Sequence, residues 1–331
     1  MSCVLVLGGS CFMGRQLVDH LQSLGLEVYT VNRGRTYWGD ASRKPSLVAD
    51  RRNRTEYRDA LDKFIQRTST PWLGVVDFCA FKPKDVTESL PDICFDPNIF
   101  PTFIFISTDS VYEGLSSSCM PNRGTATEAL TDLGQLDPSF DKYGYQKLLT
   151  ERSLFKRSPS GQNLLCLRLP DVIGEFDDTH RFWGCVLWIK SGMEMFLDSE
   201  ADSLPLAFVY SADVVVVISN ILKRRQCLRE SINIGCTEQI SLKSFLELIA
   251  AAVGTEIRLT GEKNRMLECC LYPSVERRRI PLSLEKSKAL IEWKPTALAE
   301  VISRTVKWLE AAETMYPTEF METVDSLPAP T

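Results

Sequence analysis

Histidine, closely spaced cysteines and long apolar runs are scarce in this 331-residue sequence, and each shortage excludes a class of site or protein. There are two histidines, and none of the 11 cysteines forms a Cys-x-x-Cys pair, so residues for a zinc site are too few. No apolar stretch is long enough to span a bilayer. The net charge of -5 and pI of about 5.4 lack the basic excess of a nucleic-acid-binding protein. We therefore expect no metal, membrane or nucleic-acid partner.

The cysteines that are present indicate a reducing compartment. Cys3, Cys79 and Cys166 lie inside apolar runs, where a free cysteine behaves as a small hydrophobic residue. No charged segment precedes the first apolar run, so we expect no secretory leader. Together these features predict a cytoplasmic protein.

Apolar runs alternate with helical patterns over the first half of the chain. Strands are predicted at residues 3–7, 26–31, 46–50, 73–80, 102–108 and 163–169, and helices follow several of them, including residues 55–67 and 141–156. Continuous apolar strands separated by helices indicate a parallel sheet that is covered on both faces. Further along, a strand, a turn at residues 211–213 and a helix are predicted, and a last helix covers residues 297–312.

The predicted fold is therefore α/β: a Rossmann-type doubly wound parallel sheet with a smaller C-terminal substrate-binding cap. Residues 1–169 form the predicted nucleotide-binding domain, with 206–253 and 297–313 packing back on it. Residues 170–205 and 254–296 form the predicted cap, and residues 314–331 a loose tail.

A glycine-rich loop follows the first strand, in the stretch GGSCFMG. Gly8 permits a tight turn, Gly9 a close approach of the backbone to a ligand, and Gly14 close packing of helix on strand. The helix N-terminus then offers free N–H groups and a positive dipole end to a pyrophosphate. Cys11 replaces the usual middle glycine, and its place at a helix N-terminus predicts a lowered thiol pKa, although a merely tolerated small residue is the simpler interpretation. The predicted cofactor contacts here are Gly8, Gly9, Ser10, Cys11, Phe12, Met13 and Gly14.

The end of the second strand bears on the choice of cofactor. An acidic residue there favours NAD, because it binds the ribose hydroxyls. This chain instead has Asn32, Arg33 and Arg35, and two guanidinium groups suit a 2′-phosphate, unless they are ordinary loop charges. We therefore favour NADP(H) over NAD(H). Asp50, after the third strand, is predicted to meet the adenine amine.

Three side chains near the fifth strand suit proton transfer. Tyr143 and Lys147 are four residues apart on a predicted helix, so they lie on one face. A nearby ammonium group lowers the pKa of a phenol, and such a phenol can exchange a proton with a substrate hydroxyl. Thr108, at the end of the fifth strand, is predicted to hydrogen-bond the same substrate oxygen.

With these motifs the sequence resembles an extended or atypical short-chain dehydrogenase/reductase of the NAD-dependent epimerase/dehydratase type, over residues 3–309. GGSCFMGR and NRGR are similar to the GGTRFIGR and NRG of a branch that includes chloroplast stem-loop-binding proteins and bacterial epimerase-like reductases. The resemblance implies a catalytic set of Thr108, Tyr143 and Lys147. It also implies that a further set of residues lines the cofactor: Ala80, Phe81, Ser107, Pro170 and Val172.

Two departures from the family pattern limit what the resemblance implies. STDSVY is similar to the STDEVY of dTDP-glucose dehydratases, but only Asp109 of their acid–base pair is present, with Ser110 in place of the glutamate. A reductase or epimerase is therefore easier to support than a dehydratase. The fourth helix, through which family dimers often pack, is short and flanked by Pro83 and Pro91, so both monomer and homodimer stay open.

Substrate contacts are predicted from polar side chains outside the sheet pattern. Arg181 suits a phosphate or carboxylate, His180 a sugar hydroxyl, and Arg279 a nucleotide diphosphate. The alternative is that Arg181 and His180 belong to a surface turn anchored by Trp183, and the sequence favours neither interpretation. Tyr112 and Tyr210 complete the predicted set, and Asp213 is predicted to cap a helix. The implied substrate is a nucleotide sugar or another polyhydroxylated carbonyl compound.

Three hypotheses for the function follow. The first is an NADP(H)-dependent reductase or epimerase, supported by Tyr143 and Lys147. The second is a catalytically impaired dinucleotide-binding regulator or scaffold, which Cys11 and the missing glutamate leave open. The third, an RNA-binding protein, is disfavoured by the acidic pI.

Overall fold

The computed structural model of the protein describes residues 2–35, 44–116, 125–179, 181–192, 194–197, 202, 205–224, 227–260 and 281–318. Its centre is a seven-stranded parallel sheet in the order β10-β6-β5-β4-β1-β2-β3. The strands are β1 (Cys3–Leu7), β2 (Glu27–Asn32), β3 (Leu47–Val48), β4 (Trp72–Asp77), β5 (Thr102–Thr108), β6 (Asn163–Leu169) and β10 (Arg229–Asn233). The strand order reverses between β1 and β4, the position at which such sheets bind ligands beyond the carboxyl ends of their strands.

Helices cover the two faces of this sheet. The helices are α1 (Phe12–Ser23), α2 (Arg54–Arg67), α3 (Lys84–Thr87), α4 (Leu130–Leu133), α5 (Lys142–Arg157), α6 (Arg181–Ser191), α7 (Ser211–Lys223), α8 (Leu242–Val253), α9 (Glu285–Ile291) and α10 (Leu298–Met315). Short 3-10 helices lie at Asp92–Phe95 and Asp109–Val111. Apolar residues of α1 and α7 pack on one face of the sheet, and those of α2 and α5 on the other. Since both faces are covered, β1, β5 and β6 are buried along their whole lengths.

A second apolar core lies beside the sheet. Helices α6, α8 and α10 form it together with two short parallel strands, β7 (Asp171–Ile173) and β9 (Phe208–Tyr210). A second parallel pair consists of β8 (Met195–Phe196), which follows α6 along the chain, and β11 (Leu259–Thr260), which follows α8. Trp183 is one of the buried residues of this core, as an anchoring role requires. The division of the chain into a sheet domain and a cap stays a prediction.

The prediction of a Rossmann-type parallel sheet is confirmed, and β1, β5 and β6 have the predicted bounds. The predicted turn at residues 211–213 is wrong, because α7 begins at Ser211 directly after β9. Asp213 therefore lies in the first turn of α7, whose N-cap is Tyr210. Its carboxylate accepts hydrogen bonds from the Thr296 backbone N–H (2.7 Å) and hydroxyl (2.9 Å), so it joins α7 to the segment before α10.

The described residues also bear on the cysteines and on membrane-spanning segments. The cysteines that the structure describes are all free thiols. Within the described ranges, none of the helices combines the length and the apolar character needed to cross a membrane.

Candidate active site

The glycine loop has the geometry that its sequence predicts. Gly8 has a φ of +98°, in the region that favours glycine, and its N–H donates to the Val31 carbonyl (3.0 Å). A Cβ atom on Gly14 would lie 2.1 Å from the Gly8 carbonyl oxygen, so only glycine lets α1 begin this close to β1. Cys11 is the N-cap of α1 and makes no side-chain capping bond, so the first N–H groups of the helix have no side-chain acceptor at that position.

A cavity of 650 Å³ opens from this loop. It joins the carboxyl ends of β1, β2, β3 and β4, on the side of the sheet where the strand order reverses. Many of the predicted cofactor contacts line it: Gly8, Ser10, Cys11, Phe12, Met13, Gly14, Asn32, Arg33, Arg35, Asp50 and Phe81. The lining does not include Gly9, Ala80, Ser107, Pro170 or Val172. The described structure therefore gathers most of the residues predicted for the adenine and phosphate part of a dinucleotide.

The end of the cavity that lies beyond β2 and β3 carries cationic side chains. Arg33 and Arg35 are exposed, while the Asn32 side chain accepts a hydrogen bond from the Gly34 N–H (2.9 Å) and so shapes the turn between them. The Asp50 carboxylate is paired with Arg52 (2.6 Å). Hydrogen bonds from the Arg52 side chain and backbone lower the pKa of Asp50 to about 2. An adenine amine would have to share this carboxylate with Arg52.

The environment of Cys11 contradicts the predicted reactive thiol. Burial, followed by the nearby Asp178 carboxylate, raises the pKa of the Cys11 thiol to about 12. The helix N-terminus does not overcome these two effects. The interpretation of Cys11 as a tolerated small residue is the one that the structure supports.

The end of β4 is fixed by a buried ion pair that the sequence analysis missed. Both terminal nitrogens of Arg51 donate to the Asp77 carboxylate at 2.8 Å. The same carboxylate accepts from the N–H groups of Cys79 (2.8 Å) and Ala80 (3.1 Å). The pair therefore sets the path of the chain that lines the cavity beyond β4. An aspartate that ends a fully apolar strand was the available signal.

Tyr143 is positioned by unusually close packing at the start of α5. Asp141 caps the helix, with its carboxylate accepting from the Tyr143 N–H (2.8 Å). A Cβ atom on Gly144 would lie 1.8 Å from the Ser110 carbonyl oxygen, so α5 touches the 3-10 helix that follows β5. Because Thr108 ends β5 immediately before that 3-10 helix, this contact brings Tyr143 next to it.

We expect Gly144→Ala to destabilise the chain and lower any turnover, because the added methyl group would overlap backbone atoms that cannot turn away. Forced overpacking typically costs about 1–3 kcal/mol. Thermal unfolding measures the loss. Gly161→Ala is the matched control, since its Cβ would meet nothing closer than 3.8 Å. Equal melting temperatures for the two variants would contradict the close packing.

Lys147 is a buried cation beneath the site. Its side chain is 3% exposed, and Nζ donates to the carbonyl oxygens of Ala80 (3.0 Å) and Ile106 (2.6 Å). Nζ also lies 4.3 Å from the centre of the Phe105 ring and 5.4 Å from that of Phe81. Burial lowers the pKa of Lys147 to about 8. The ammonium group thus binds the ends of β4 and β5 together.

The phenol of Tyr143 differs from the prediction. Burial raises its pKa to about 12, the Asp109 and Asp141 carboxylates contribute to this, and a hydrogen bond with Thr108 opposes it. A pKa lowered by Lys147 was predicted, but the shift has the opposite sign because burial and the two carboxylates outweigh the groups that lower the pKa. Tyr143 therefore holds its proton throughout the physiological pH range.

Phe81 and Arg181 complete the surroundings of Tyr143. The Phe81 ring is 54% exposed and its centre lies 6.3 Å from that of the Tyr143 ring, which is itself 44% exposed. Arg181 begins α6, pairs with Asp171 (3.3 Å), and acts electrostatically on the Tyr143 phenol. Its guanidinium is half-exposed. This places one cation of the predicted substrate set beside the candidate acid.

The other predicted substrate contacts lie elsewhere. Tyr112 is buried, and its hydroxyl donates to Asn233 (2.6 Å) inside the protein. Tyr210 is buried as well and donates to the Glu175 carboxylate (2.6 Å). Neither side chain faces the cavity. His180 and Arg279 lie outside the described residues.

A buried polar network supports the far side of α5. Arg168 and Glu151 form a bidentate ion pair, with an Nη2–Oε2 distance of 2.6 Å, and both side chains are 2% exposed. Ser107 (2.5 Å) and Ser231 (2.9 Å) donate to the same carboxylate. The network joins α5 to β5, β6 and β10. It was missed because its members are scattered along the sequence.

Known proteins resemble this chain in sequence over one segment and in fold over nearly its whole length. The sequence model of the NAD dependent epimerase/dehydratase family matches residues 84–235, which include Thr108, Tyr143 and Lys147. The matched segment comprises 152 of the 331 residues, a little less than half of the chain. The glycine loop lies before the matched segment. A comparison with curated protein sequences gives no significant match.

Solved structures share the fold of this chain along nearly its whole length. The dTDP-glucose 4,6-dehydratase of Bacillus anthracis, in complex with NAD, has a TM-score of 0.69 at 17% identity, over 96% of this chain and 100% of that one. The UDP-glucose 4-epimerase of Thermotoga maritima, with UDP-glucose, has a TM-score of 0.70 at 19% identity, over 93% of this chain and 99% of that one. The UDP-glucose 4-epimerase of Thermus thermophilus, with NAD, has a TM-score of 0.67 at 22% identity, over 94% of this chain and 99% of that one. At these identities the likeness shows the fold.

Proposed function

We propose that this protein is an NAD(P)-dependent oxidoreductase or epimerase that acts on a nucleotide sugar or a similar polyhydroxylated carbonyl compound. The observation that carries the proposal is the placement of Tyr143 beside Thr108 and Arg181, with its ring 6.3 Å from that of Phe81, a residue that lines the cavity opening from the glycine loop. The match of residues 84–235 to the NAD dependent epimerase/dehydratase family model supports it. Structural neighbours crystallised with NAD or UDP-glucose also support it.

The residues present fit a dinucleotide. Only glycine is accommodated at positions 8 and 14, which keeps the backbone at the start of α1 open to phosphates. Arg33 and Arg35 line the other end of the cavity, and the described end of β2 carries no carboxylate to favour the 2′-hydroxyl of NAD. We therefore favour NADP(H). Bound there, the nicotinamide would supply or accept the hydride.

The protein's own residues would manage the proton. The raised pKa of Tyr143, about 12, keeps the phenol protonated, so it can donate to a carbonyl oxygen as that oxygen gains charge. The Thr108 side chain lies beside the phenol, and its hydroxyl donates to the Asp109 carboxylate (3.3 Å). Arg181 would hold an anionic part of the substrate near the phenol. Lys147 keeps the ends of β4 and β5 in register below the reacting groups.

Thermal unfolding with NADPH, NADP+, NADH and NAD+ in parallel tests the cofactor assignment. Ligand at a hundredfold its dissociation constant stabilises a protein by about 2.7 kcal/mol, which raises the melting temperature by several degrees. We expect the larger shift with the phosphorylated pair. No shift with any of the four would contradict the dinucleotide site.

The double variant Arg33→Ala/Arg35→Ala is the control for the cofactor preference. It should lose most of the shift with NADPH and keep that with NADH, because only NADPH carries the 2′-phosphate. Arg58→Ala, an exposed arginine on α2 outside this cavity, should leave both shifts unchanged.

One observation favours a second function, a dinucleotide-binding regulator or scaffold without turnover. Two donors of Lys147 are engaged with backbone carbonyls, and the Phe81 ring lies near both Lys147 and Tyr143. Cofactor binding without conversion of UDP-glucose, UDP-galactose or dTDP-glucose would support this alternative over the enzyme.

A further inference from the structure

One residue lining the nucleotide cavity comes from a distant part of the chain. The residues that line it belong to the first 85 positions, with the exception of Asp178. Asp178 lies in the loop between β7 and α6, and this loop folds back over the start of α1. The cavity therefore has an acidic side chain at the end where the glycine loop offers its N–H groups.

Asp178 lies near the N-cap of α1. Both Asp178 and Cys11 line the cavity, and the Asp178 carboxylate helps to raise the pKa of the Cys11 thiol. Helix α1 has no acidic residue in its first turn and no side-chain cap. A carboxylate at this position is favourable for the free helix end, whose partial positive charge it offsets. It is unfavourable for a second anion at the same place.

The loop that carries Asp178 is anchored just before this residue. Its Glu175 carbonyl accepts from the Gln16 side chain (2.6 Å), and the Phe176 ring lies under the Arg15 guanidinium (4.0 Å) and against Trp308 (4.8 Å). Asp178 and Thr179, which follow, are exposed. The carboxylate can therefore turn away from Cys11 without breaking the anchored part of the loop.

We propose that Asp178 occupies the diphosphate end of the cavity as a competing anion, so that it weakens dinucleotide binding and must turn out of the cavity when a dinucleotide binds. The inference rests on the proposed function, since it assumes that the cavity takes a dinucleotide. The charged groups of this region are Arg33, which acts on Cys11, and Arg181 and Asp178, which act on the neighbouring Asp177 carboxyl.

Isothermal titration with NADP+ tests the proposal. Asp178→Asn removes the charge at nearly constant shape and should bind NADP+ about three- to tenfold more tightly, from the size of a charge–helix-end interaction. Asp178→Glu keeps the charge and should bind like the wild type. Asp59→Asn, an exposed aspartate on α2 away from this cavity, controls for net charge. Adenosine 2′-monophosphate, which lacks the diphosphate, should bind all four proteins alike.

Unchanged or weaker binding of NADP+ by the Asn variant, with normal binding by the wild type, would overturn this inference alone. If Asp59→Asn gained as much NADP+ affinity as Asp178→Asn, the inference about Asp178 would be overturned too, because the gain would then come from net charge. If neither the wild type nor Asp178→Asn binds NADP+ or NAD+, the dinucleotide site itself is refuted, and the proposed function fails with it. Melting curves without ligand verify that the variants are folded.

Discussion

Replacing Tyr143 by phenylalanine should lower turnover by about 10²–10⁴-fold, the usual contribution of a positioned acid or base. The variant loses only the phenol hydroxyl, and it keeps the ring that packs near Phe81. Cofactor affinity should therefore stay within a small factor of the wild type. The rate is measured on whichever of UDP-glucose, UDP-galactose and dTDP-glucose the wild type converts fastest.

Tyr145→Phe is the matched control for that experiment. It makes the same chemical change two positions along α5, at a residue that the helix directs to another side. It should turn over at the wild-type rate. Normal turnover by Tyr143→Phe would remove the phenol from the mechanism, and equal losses in the two variants would point to a general defect in α5.

Replacing Glu151 by glutamine should destabilise the fold by about 3–5 kcal/mol, because it leaves the Arg168 guanidinium buried without a counter-charge. Burial alone would lower the pKa of Arg168, but Glu151 outweighs this and raises it, so the guanidinium stays charged in the intact pair. Total stabilities are of the order of 5–15 kcal/mol, so the loss is a large fraction. The midpoint of urea unfolding measures it.

Two further variants separate the charge effect from simple loss of packing. Glu247→Gln breaks an exposed pair with Lys243 and should cost no more than about 1 kcal/mol. The double variant Glu151→Leu/Arg168→Met removes both buried charges and should recover part of the stability lost in Glu151→Gln. A double variant less stable than the single one would show that the hydrogen bonds of Ser107 and Ser231 matter more than the uncompensated charge.

Local patterns were sufficient to predict the sheet and the glycine loop. The apolar runs of β1 and β6 have a strong signal because a parallel sheet buries both of their faces. The strand pattern also predicted where a ligand cavity lies, because the carboxyl ends of neighbouring parallel strands meet at one edge of the sheet. Arg33 and Arg35 line the cavity at that edge. The roles of these side chains stay predictions.

What could not be predicted depends on contacts between distant positions. Tyr112 is polar and close to Thr108 in sequence, but the turn after β5 directs it inward to Arg168 and Asn233. Lys147 donates to carbonyls of Ala80 and Ile106, which precede it by many residues, and the burial at this position lowers its pKa. Asp178 reaches the glycine loop only because the segment after β7 folds back over α1.

The position of β10 at the edge of the sheet bears on how the chain is made. Strand β6 ends at residue 169, and β10, its partner on the open side, begins at residue 229. At the usual speed of synthesis that interval lasts about 3–12 s. Throughout it the nascent chain presents the unpaired apolar edge of NLLCLRL, the kind of edge that pairs with other chains. Release from the ribosome before β10 has emerged would expose this edge to other chains, so the integrity of the sheet depends on synthesis continuing past residue 233.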